Sequence, residues 1–298
     1  MVECSVIIPV YNDPKGIQTT LESTLPQKYD SYEVIPVDND STDETNDVIK
    51  KASDACSNRI YSVEETDTQS SYAARNTGIK HASGNIYLFL DANMWVPETW
   101  IGEMVTAFES RDCDYLGCNV KVVAEDHNFW EAYEQSFSFP IKSYLEHKHF
   151  APTCALAVRH EVFEEVGLFD ERLESGGDKE FGQRVYRAGF KQCYAGDVTA
   201  YHPARDSWDA LRSKALRIGR GRAQKREYYP NTSHHPVHPS NFLPPSPFRL
   251  RRRFSGQGTS IPSLVGFYLL EYILKLTQSY GAIRETLSQR RSDKETSR

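Results

Sequence analysis

The stretch YAARNTGIKHASGNIYLFLDAN, residues 72–93, contains a helix signal, a strand signal and a polar loop in immediate succession. It predicts a helix over residues 71–81 and a very apolar strand over residues 85–90. The strand leads directly into Asp91-Ala92-Asn93. An acid that follows three large apolar residues therefore stands where a buried strand delivers a loop.

The same order of strand, polar loop and helix occurs twice before this stretch. Residues 4–10 (CSVIIPV) form a β-branched run that ends in a turn, and residues 32–37 (YEVIPV) lead into the polar cluster DNDSTD. A helix is expected after each of them. The first covers about residues 16–25, and the second ends at about residue 55 and has Ser41 and Thr42 as N-cap candidates. A short strand is expected near residues 59–63.

This repetition predicts an α/β fold with a parallel sheet covered by helices. In such sheets ligands bind at the carboxyl ends of the strands. The loops that leave the three strands, residues 9–13, 38–43 and 91–93, are therefore the expected binding site.

The remainder of the chain divides into a continuation of this domain and a different C-terminal part. The continuation holds further predicted elements: helices at 99–109, 129–138, 159–166 and 179–188, strands at 115–123 and 192–194 leading on to 198–202, and a buried-looking segment at 153–158. We predict a catalytic domain over residues 1–206 and an extension over residues 207–298, with a basic helix, a Pro/His-rich linker (230–247) and an amphipathic helix (263–276).

Charge is distributed unevenly over the 298 residues. The net charge of −6 is made up of −17 over residues 1–206 and +11 over residues 207–298, within an ordinary globular composition of 39% hydrophobic and 26% charged residues. No apolar run is long enough for a membrane span, and the first residues lack the features of a signal peptide, so a cytoplasmic protein is expected. The six cysteines form no CxxC pair and are expected to be reduced, mostly buried thiols.

The acidic loops suggest a particular chemistry. A carboxylate such as Asp38 accepts hydrogen bonds from a nucleobase imide or from ribose hydroxyls, and the loop at Asp91 offers oxygen ligands to a hard divalent cation that bridges a diphosphate. Together they predict a site for a nucleotide sugar. A helix-capping turn at Asp38 and a plain turn at Asp91 are the alternatives.

Four motifs in order, IIPVYND, VDNDSTD, the stretch at 72–93 and GGDKEFGQRVYRAGF, resemble the family 2 glycosyltransferases over about residues 3–206. The resemblance implies the GT-A fold, a Rossmann-like, mainly parallel sheet flanked by helices. It also implies nucleotide-sugar binding by Pro9, Tyr11, Asp38, Arg75, Asp91 and Asn93.

In that family a DxD motif binds Mn²⁺ or Mg²⁺, and here it is Asp91 with Asn93 at its third position. An amide oxygen can bind the cation without adding charge. His202 matches a histidine that completes the metal site in some members, although a structural histidine is the alternative. Asp178 aligns with the catalytic base of an inverting transfer, with Gly177 where Glu is common; a helix cap is its alternative role.

Further features restrict the predicted activity. The QxxRW signature of the processive synthases is absent, since Gln183 is followed by Arg184-Val185-Tyr186-Arg187, so the resemblance implies addition of a single sugar. We expect a UDP-linked donor and a polyprenyl-linked saccharide or phosphate as acceptor. The alternatives are a non-catalytic nucleotide-sugar-binding or scaffold subunit and a sugar nucleotidyltransferase, although the latter would need a Gly-rich basic loop after the first strand.

The basic extension has several possible partners. Four arginines (Arg249, Arg251, Arg252 and Arg253) precede the apolar helix at 263–276, which is too short to span a bilayer and is suited to lying at a lipid surface. Packing on the catalytic domain or on a second subunit is the alternative, so a homo-oligomer is possible. Nucleic-acid binding is disfavoured, because the body is acidic and no recognisable module is present. We therefore expect a peripheral protein on the inner face of the membrane.

Overall fold

The computed structural model describes residues 2–136, 139–230, 238–246 and 261–296, apart from the side chains of 261–262 and 291–296. Its strands are β1 (Cys4–Val10), β2 (Tyr32–Asp38), β3 (Val63–Glu64), β4 (Ile86–Leu90), β5 (Tyr115–Val123), β6 (Ala155–Arg159) and β7 (Gln192–Pro203). Its α-helices are α1 (Pro14–Thr24), α2 (Thr45–Ala55), α3 (Ser71–His81), α4 (Trp100–Ser110), α5 (Phe129–Ser136), α6 (Ile141–Lys148), α7 (His160–Val166), α8 (Gly177–Arg187), α9 (Trp208–Tyr228) and α10 (Ile261–Thr296).

The strands form one sheet in the order β3-β2-β1-β4-β6-β5-β7. β1 is parallel to β2 and β4, and β2 is parallel to β3, so the predicted parallel arrangement is confirmed for the first half. β6 is antiparallel to both β4 and β5. The segment at 153–158, expected only to be buried, therefore supplies the strand that makes the sheet mixed.

The central strands are buried along their whole length, which explains their continuous apolar runs. Pro9 lies within β1, where a proline would normally break a ladder. The paired residues of β1 and β4 end at Ile7 and Phe89, so Pro9 lies beyond them and its missing N–H costs that ladder nothing.

Helix α3 lies unusually close to the sheet, and most of its residues are buried. A Cβ added at Gly78 would stand 2.5 Å from Cγ2 of Ile7 and 3.1 Å from Cγ2 of Val37. Only glycine allows the helix to come this close to the sheet. The close packing compensates for the low helix propensity of glycine. The close packing fixes the helix that presents Arg75.

The expected N-cap of α2 is wrong. The helix begins at Thr45 with Glu44 as N-cap, whose side chain makes no capping hydrogen bond; Asp43 Oδ1 instead accepts from the N–H of Thr45 at 3.0 Å. Ser41 and Thr42 instead bind the loop after β1: Ser41 Oγ accepts from the backbone N–H of Asn12 at 2.9 Å, and Asn12 Oδ1 accepts from the N–H of Thr42 at 2.8 Å. The polar residues of DNDSTD thus join two loops of the predicted site.

The expectation that all six cysteines are reduced is also wrong. Cys113 and Cys193 form a disulfide across 80 residues of sequence, with their Cα atoms 6.2 Å apart. Both lie where the neighbouring strands β5 and β7 begin. The sheet brings together two cysteines whose spacing gave no sign of pairing. Cys4, Cys56, Cys118 and Cys154 are free thiols.

The chain forms two compact units. The first consists of residues 1–122, 139–171 and 177–203, and includes the sheet; the second consists of residues 123–138, 172–176 and 204–298. The second unit has its own apolar cluster, built around Tyr133, Leu211, Phe267 and Leu270 from α5, α9 and α10.

Helix α10 is much longer than the helix predicted at 263–276. It packs against α9 so closely that a Cβ on Gly219 would stand 2.1 Å from the carbonyl oxygen of Gln278.

Among the described residues, no helix is both long enough and apolar enough to cross a membrane. Eight of the eighteen residues of the predicted linker (231–237 and 247) and the cluster Arg249–253 lie outside the described residues.

Candidate active site

The loops after β1, β2 and β4 each contain one non-glycine residue with a left-handed backbone. These residues are Asn12 (φ 48°), Asp40 (φ 62°) and Asn93 (φ 71°). Asn and Asp tolerate this conformation better than other side chains, yet it costs on the order of 1 kcal/mol each. Unfavourable conformations concentrated at one edge of a sheet are typical of functional sites.

Hydrogen bonds hold these three loops in place. The backbone N–H of Asp13 donates to Thr45 Oγ1 at 2.9 Å, and the N–H of Asn93 donates to the carbonyl oxygen of Gly16 at 3.1 Å. Asp13 Oδ1 also accepts from the N–H of Gly16 at 2.9 Å, capping α1. The start of α1 is thereby tied to the loops after both β2 and β4.

The residues predicted to bind the nucleobase and ribose differ in exposure. Pro9 is buried in β1, whereas 47% of the Tyr11 side chain is exposed just beyond the strand. Asp38 is buried at the end of β2, and its Oδ1 accepts from the N–H of Ser41 at 3.3 Å. An exposed ring and an oriented carboxylate at neighbouring positions suit a planar base and its sugar.

Arg75 and Asp91 form an ion pair between α3 and the loop after β4. Arg75 is 4% exposed, and its Nη1 also donates to the carbonyl oxygen of Ser71 at 3.0 Å. Within the described residues its buried Nε has no hydrogen-bond partner. A buried guanidinium with an unused donor at the strand ends is suited to an anionic ligand.

Tyr72 connects Arg75 to the start of α8. The Tyr72 hydroxyl oxygen accepts from the N–H groups of Gly177 at 2.9 Å and Asp178 at 3.2 Å, and the Arg75 guanidinium lies 5.7 Å from the centre of the Tyr72 ring. Burial raises the pKa of Tyr72, the charge of Asp178 adds to the rise, and Arg75 opposes it. The hydroxyl is therefore neutral and serves as a fixed acceptor.

Asp178 lies in the first turn of α8, and its Oδ1 accepts from the N–H of Lys179 at 2.8 Å. Helix capping and a catalytic role are thus compatible, since a carboxylate has further lone pairs. The other acid of the motif, Glu180, is 5% exposed and binds Arg184 at 2.7 and 2.9 Å. Arg184 neutralises Glu180, which leaves Asp178 as the better candidate base.

Cys154 is a buried thiol whose pKa is influenced by the charges of the candidate site. Burial raises the pKa of its thiol well above the usual range, and the charges of Asp91 and Asp178 raise it further, whereas Arg75 lowers it. The raised pKa keeps the thiol protonated and uncharged.

The donor set fits a hard divalent cation. The Asp91 side chain is 39% exposed, and Asn93 Oδ1 is a buried acceptor without a hydrogen-bond partner among the described residues. His202 is buried near the end of β7, next to Tyr201, whose backbone pairs with that of Trp95 just after the loop that holds Asp91 and Asn93. No group of three or more His, Cys, Asp or Glu side chains in the described ranges forms a ready-made metal site.

Sequence reasoning missed Tyr72 and Cys154. Tyr72 precedes Arg75 by three residues, so the helical period places both on one side of α3, and this spacing was an available signal. For Cys154 no signal existed, because its relation to Asp91 and Asp178 depends on the antiparallel insertion of β6.

Comparisons with known proteins agree with this fold. The model of the family "Glycosyl transferase family 2" matches residues 5–167. Glycosyltransferase AglE of Haloferax volcanii is 37% identical over 223 residues, which cover 74% of this chain and 73% of AglE.

A second relative is the Escherichia coli UDP-Glc:alpha-D-GlcNAc-diphosphoundecaprenol beta-1,3-glucosyltransferase WfaP. It is 35% identical over 107 residues, which cover 36% of this chain and 41% of WfaP. Among solved structures, the mannosyltransferase PcManGT of Pyrobaculum calidifontis, in complex with GDP-Man and Mn²⁺, superposes with a TM-score of 0.64 at 19% identity, covering 95% of this chain and 86% of its own. The predicted GT-A architecture is confirmed. The chain belongs to glycosyltransferase family 2.

Proposed function

We propose that the protein is an inverting, non-processive glycosyltransferase that moves one sugar from a UDP-linked donor to a polyprenyl-linked saccharide or polyprenyl phosphate, at the cytoplasmic face of a membrane. The observation that carries the proposal is the set of contacts that connects the two acids: Asp91 pairs with Arg75, the Arg75 guanidinium lies 5.7 Å from the centre of the Tyr72 ring, and the Tyr72 hydroxyl accepts from the N–H of Asp178 at 3.2 Å. WfaP, whose name specifies a UDP-sugar and a diphosphoundecaprenol-linked acceptor, supports the substrate classes.

Donor binding follows from the three loops. Tyr11 covers one face of the nucleobase, Asp38 accepts hydrogen bonds from the base or the ribose, and the unused Nε of Arg75 donates to a diphosphate oxygen. Asp91 and Asn93, with His202 nearby, would hold Mn²⁺ or Mg²⁺. In that position a cation would supply positive charge to stabilise a departing diphosphate.

Transfer then requires one base. The acceptor hydroxyl oxygen attacks the anomeric carbon of the donor sugar from the side opposite the diphosphate, and the Asp178 carboxylate takes the hydroxyl proton. A bond from the acceptor oxygen to the anomeric carbon forms while the bond to the diphosphate breaks, and the diphosphate leaves with the electron pair. The anomeric configuration is inverted. A phosphate acceptor is already ionised and would need no base.

A screen of nucleotide sugars with a lipid extract as acceptor, measured as released UDP or GDP, tests the donor and acceptor. Asp178→Asn tests the base, because the amide cannot take a proton while the side-chain shape is kept. For a hydroxyl acceptor we expect turnover to fall by about 10²–10⁴-fold with UDP binding unchanged. Asp30→Asn, on a fully exposed aspartate, is the matched control.

The outcomes separate the candidate functions. Full activity of Asp178→Asn on a hydroxyl acceptor would exclude Asp178 as the base, and a mild effect would indicate a phosphate acceptor. UDP and Mn²⁺ binding without turnover on any acceptor would favour the non-catalytic subunit. No nucleotide binding at all would contradict both, and release of pyrophosphate from a nucleoside triphosphate and a sugar phosphate would indicate a nucleotidyltransferase.

A further inference from the structure

The outward side of α10 carries a strip of exposed apolar side chains. Its members, spaced four or seven residues apart, are between 47% and 58% exposed: Val265, Leu269, Ile273, Tyr280 and Leu287. This spacing places them on one side of the helix. The opposite side is buried through Phe267, Leu270 and Leu274 in the apolar cluster of the second unit. α10 is therefore apolar on two sides, and the described residues of the unit cover only one of them.

A neighbouring loop adds two more apolar side chains. Phe242 and Leu243 are 40% and 61% exposed. Residues 238–246 are held on α10 by hydrogen bonds: Lys275 Nζ donates to two loop carbonyl oxygens at 2.7 and 2.8 Å, and the Tyr272 hydroxyl donates to the carbonyl oxygen of Phe242 at 2.8 Å. The helix thus fixes a loop that presents apolar residues outward instead of burying them.

The charges around the strip are of one sign. Between residues 263 and 290 the acids of α10 are engaged within the unit: Glu271 accepts from the Tyr133 hydroxyl at 2.5 Å, and Glu285 accepts from Gln224 Nε2 at 3.1 Å. The exposed charged side chains of the same stretch are Arg284 and Arg290. An apolar strip accompanied by exposed arginines complements an anionic lipid surface.

The alternative partner is a second copy of the chain. From Leu269 to Leu287, a spacing that alternates between four and three residues along α10 would also suit a coiled-coil seam. If two copies met along this seam, Arg284 and Arg290 of one copy would lie near those of the other. The described part of α10 has no exposed carboxylate that could pair with them. The strip is also only about 33 Å long and one helix wide. That is on the order of 300 Å², well below the roughly 800 Å² per partner of a standard interface. Charge and area both favour lipid.

We propose that the α10 strip, together with Phe242 and Leu243, inserts into the interfacial layer of an anionic bilayer, with Arg284 and Arg290 among the headgroups. The helix lies in the membrane plane, and Tyr280 has the amphipathic ring suited to headgroup depth. This inference concerns attachment alone and does not depend on the reaction.

The test uses the full chain and vesicles that contain no acceptor. Flotation with phosphatidylcholine vesicles, with and without about one third phosphatidylglycerol, measures binding of the wild type, Tyr280→Glu, Ile273→Glu and Tyr61→Glu. Tyr61 lies in the first unit and is 49% exposed, so Tyr61→Glu is matched to Tyr280→Glu in residue, exposure and added charge. Circular dichroism checks folding, and light scattering after gel filtration gives the mass.

We expect the wild type and Tyr61→Glu to bind phosphatidylglycerol vesicles equally, and Tyr280→Glu and Ile273→Glu to bind at least about tenfold more weakly. Binding should also fall on pure phosphatidylcholine and at high salt. Equal binding by Tyr280→Glu and Tyr61→Glu, or no binding by the wild type, would overturn the proposal. A dimer that Tyr280→Glu converts to monomer would assign the strip to a second copy instead.

Discussion

At the scale of single residues, the hydroxyl group of Tyr72 joins parts of the site that lie 106 residues apart in sequence. Its oxygen accepts two backbone N–H groups at the start of α8, where Asp178 is located. Tyr72→Phe removes that acceptor and leaves both donors without it. We expect the free energy of unfolding to fall by about 1–3 kcal/mol and turnover to fall with little change in UDP affinity. Urea denaturation and steady-state kinetics measure these effects.

Tyr11→Phe is the matched control, because this exposed ring keeps its face and loses a hydroxyl that accepts no backbone N–H within the described ranges. Its unfolding free energy should stay within about 0.5 kcal/mol of wild type. If Tyr72→Phe were as stable and active as Tyr11→Phe, the hydroxyl would not position Asp178.

Asn93 offers a second test at this scale. Asn93→Asp adds a negative charge to the candidate metal site, and aspartate also tolerates the left-handed backbone found there. We expect half-maximal activity at a lower Mn²⁺ concentration, by about tenfold. Titration of activity with Mn²⁺ measures this change. An unchanged or weaker metal requirement would mean that the Asn93 oxygen does not contact the cation.

How far the sequence predicts the site depends on the distance between partners. Arg75 and Asp91 belong to one helix–strand unit, so a local motif was enough to place them together. The contact between the Tyr72 hydroxyl and the N–H of Asp178 depends on the path of the chain over 106 residues. No local periodicity encodes such contacts.

At the scale of elements, the N-terminal end of α5 depends on one buried acid. Glu131 accepts the N–H groups of Glu125, Asp126 and Asn128 at 2.8 to 3.3 Å. Burial alone would raise the pKa of Glu131, but these hydrogen bonds to the charged form outweigh it and hold the pKa below its ordinary value of 4.5. The stabilisation is therefore present above pH 4.5 and is lost as the pH falls below it.

Glu131→Gln should accordingly lower the free energy of unfolding at pH 7 by about 1–3 kcal/mol and make it less dependent on pH below 4.5. Urea denaturation at pH 7, 5 and 4 measures both effects. Glu125→Gln, at an exposed acid of the same loop, is the control and should follow wild type. A parallel pH profile for Glu131→Gln and wild type would show that another group dominates the acid response.

Most of the elements were predictable because their patterns are local. Strands β1, β2 and β4 are continuous apolar runs, and α3 and α4 have clear boundaries in the sequence. The exceptions have physical causes. α2 starts late because Ser41 and Thr42 bind Asn12, and α10 continues beyond residue 276 because packing against α9 supports a stretch that is no longer strongly apolar.

At the scale of the whole molecule, the disulfide closes a loop of 80 residues between β5 and β7. In the chain-entropy account, such a cross-link contributes about 4 kcal/mol by restricting the unfolded chain. When the protein is unfolded and then refolded in reductant, the urea midpoint of the wild type should be lower than without reductant. The midpoint of the double variant Cys113→Ala/Cys193→Ala should be the same under both conditions. Thiol titration in denaturant should give four thiols before reduction and six after it. Six thiols in the unreduced protein would contradict the bond.

The charge pattern was visible in the sequence, but its structural setting was not. Within this positive part, α9 and α10 pack on each other and share an apolar cluster with α5, and the exposed apolar strip lies on α10. Composition could indicate a basic extension. Which side of α10 remains uncovered depends on the packing of α9 and on the loop at 238–246.

The antiparallel strand β6 also determines the order in which this chain can complete its sheet during synthesis. β1, β2 and β4 can pair once residue 90 has left the ribosome, but the other side of β4 stays open until residues 155–159 follow, because β6 fills the position between β4 and β5. For some 65 residues of elongation, the nascent chain exposes the apolar edge IYLFL, a template for pairing between neighbouring chains. Its yield in a cell should therefore depend on translation speed and on chaperones that cover this edge.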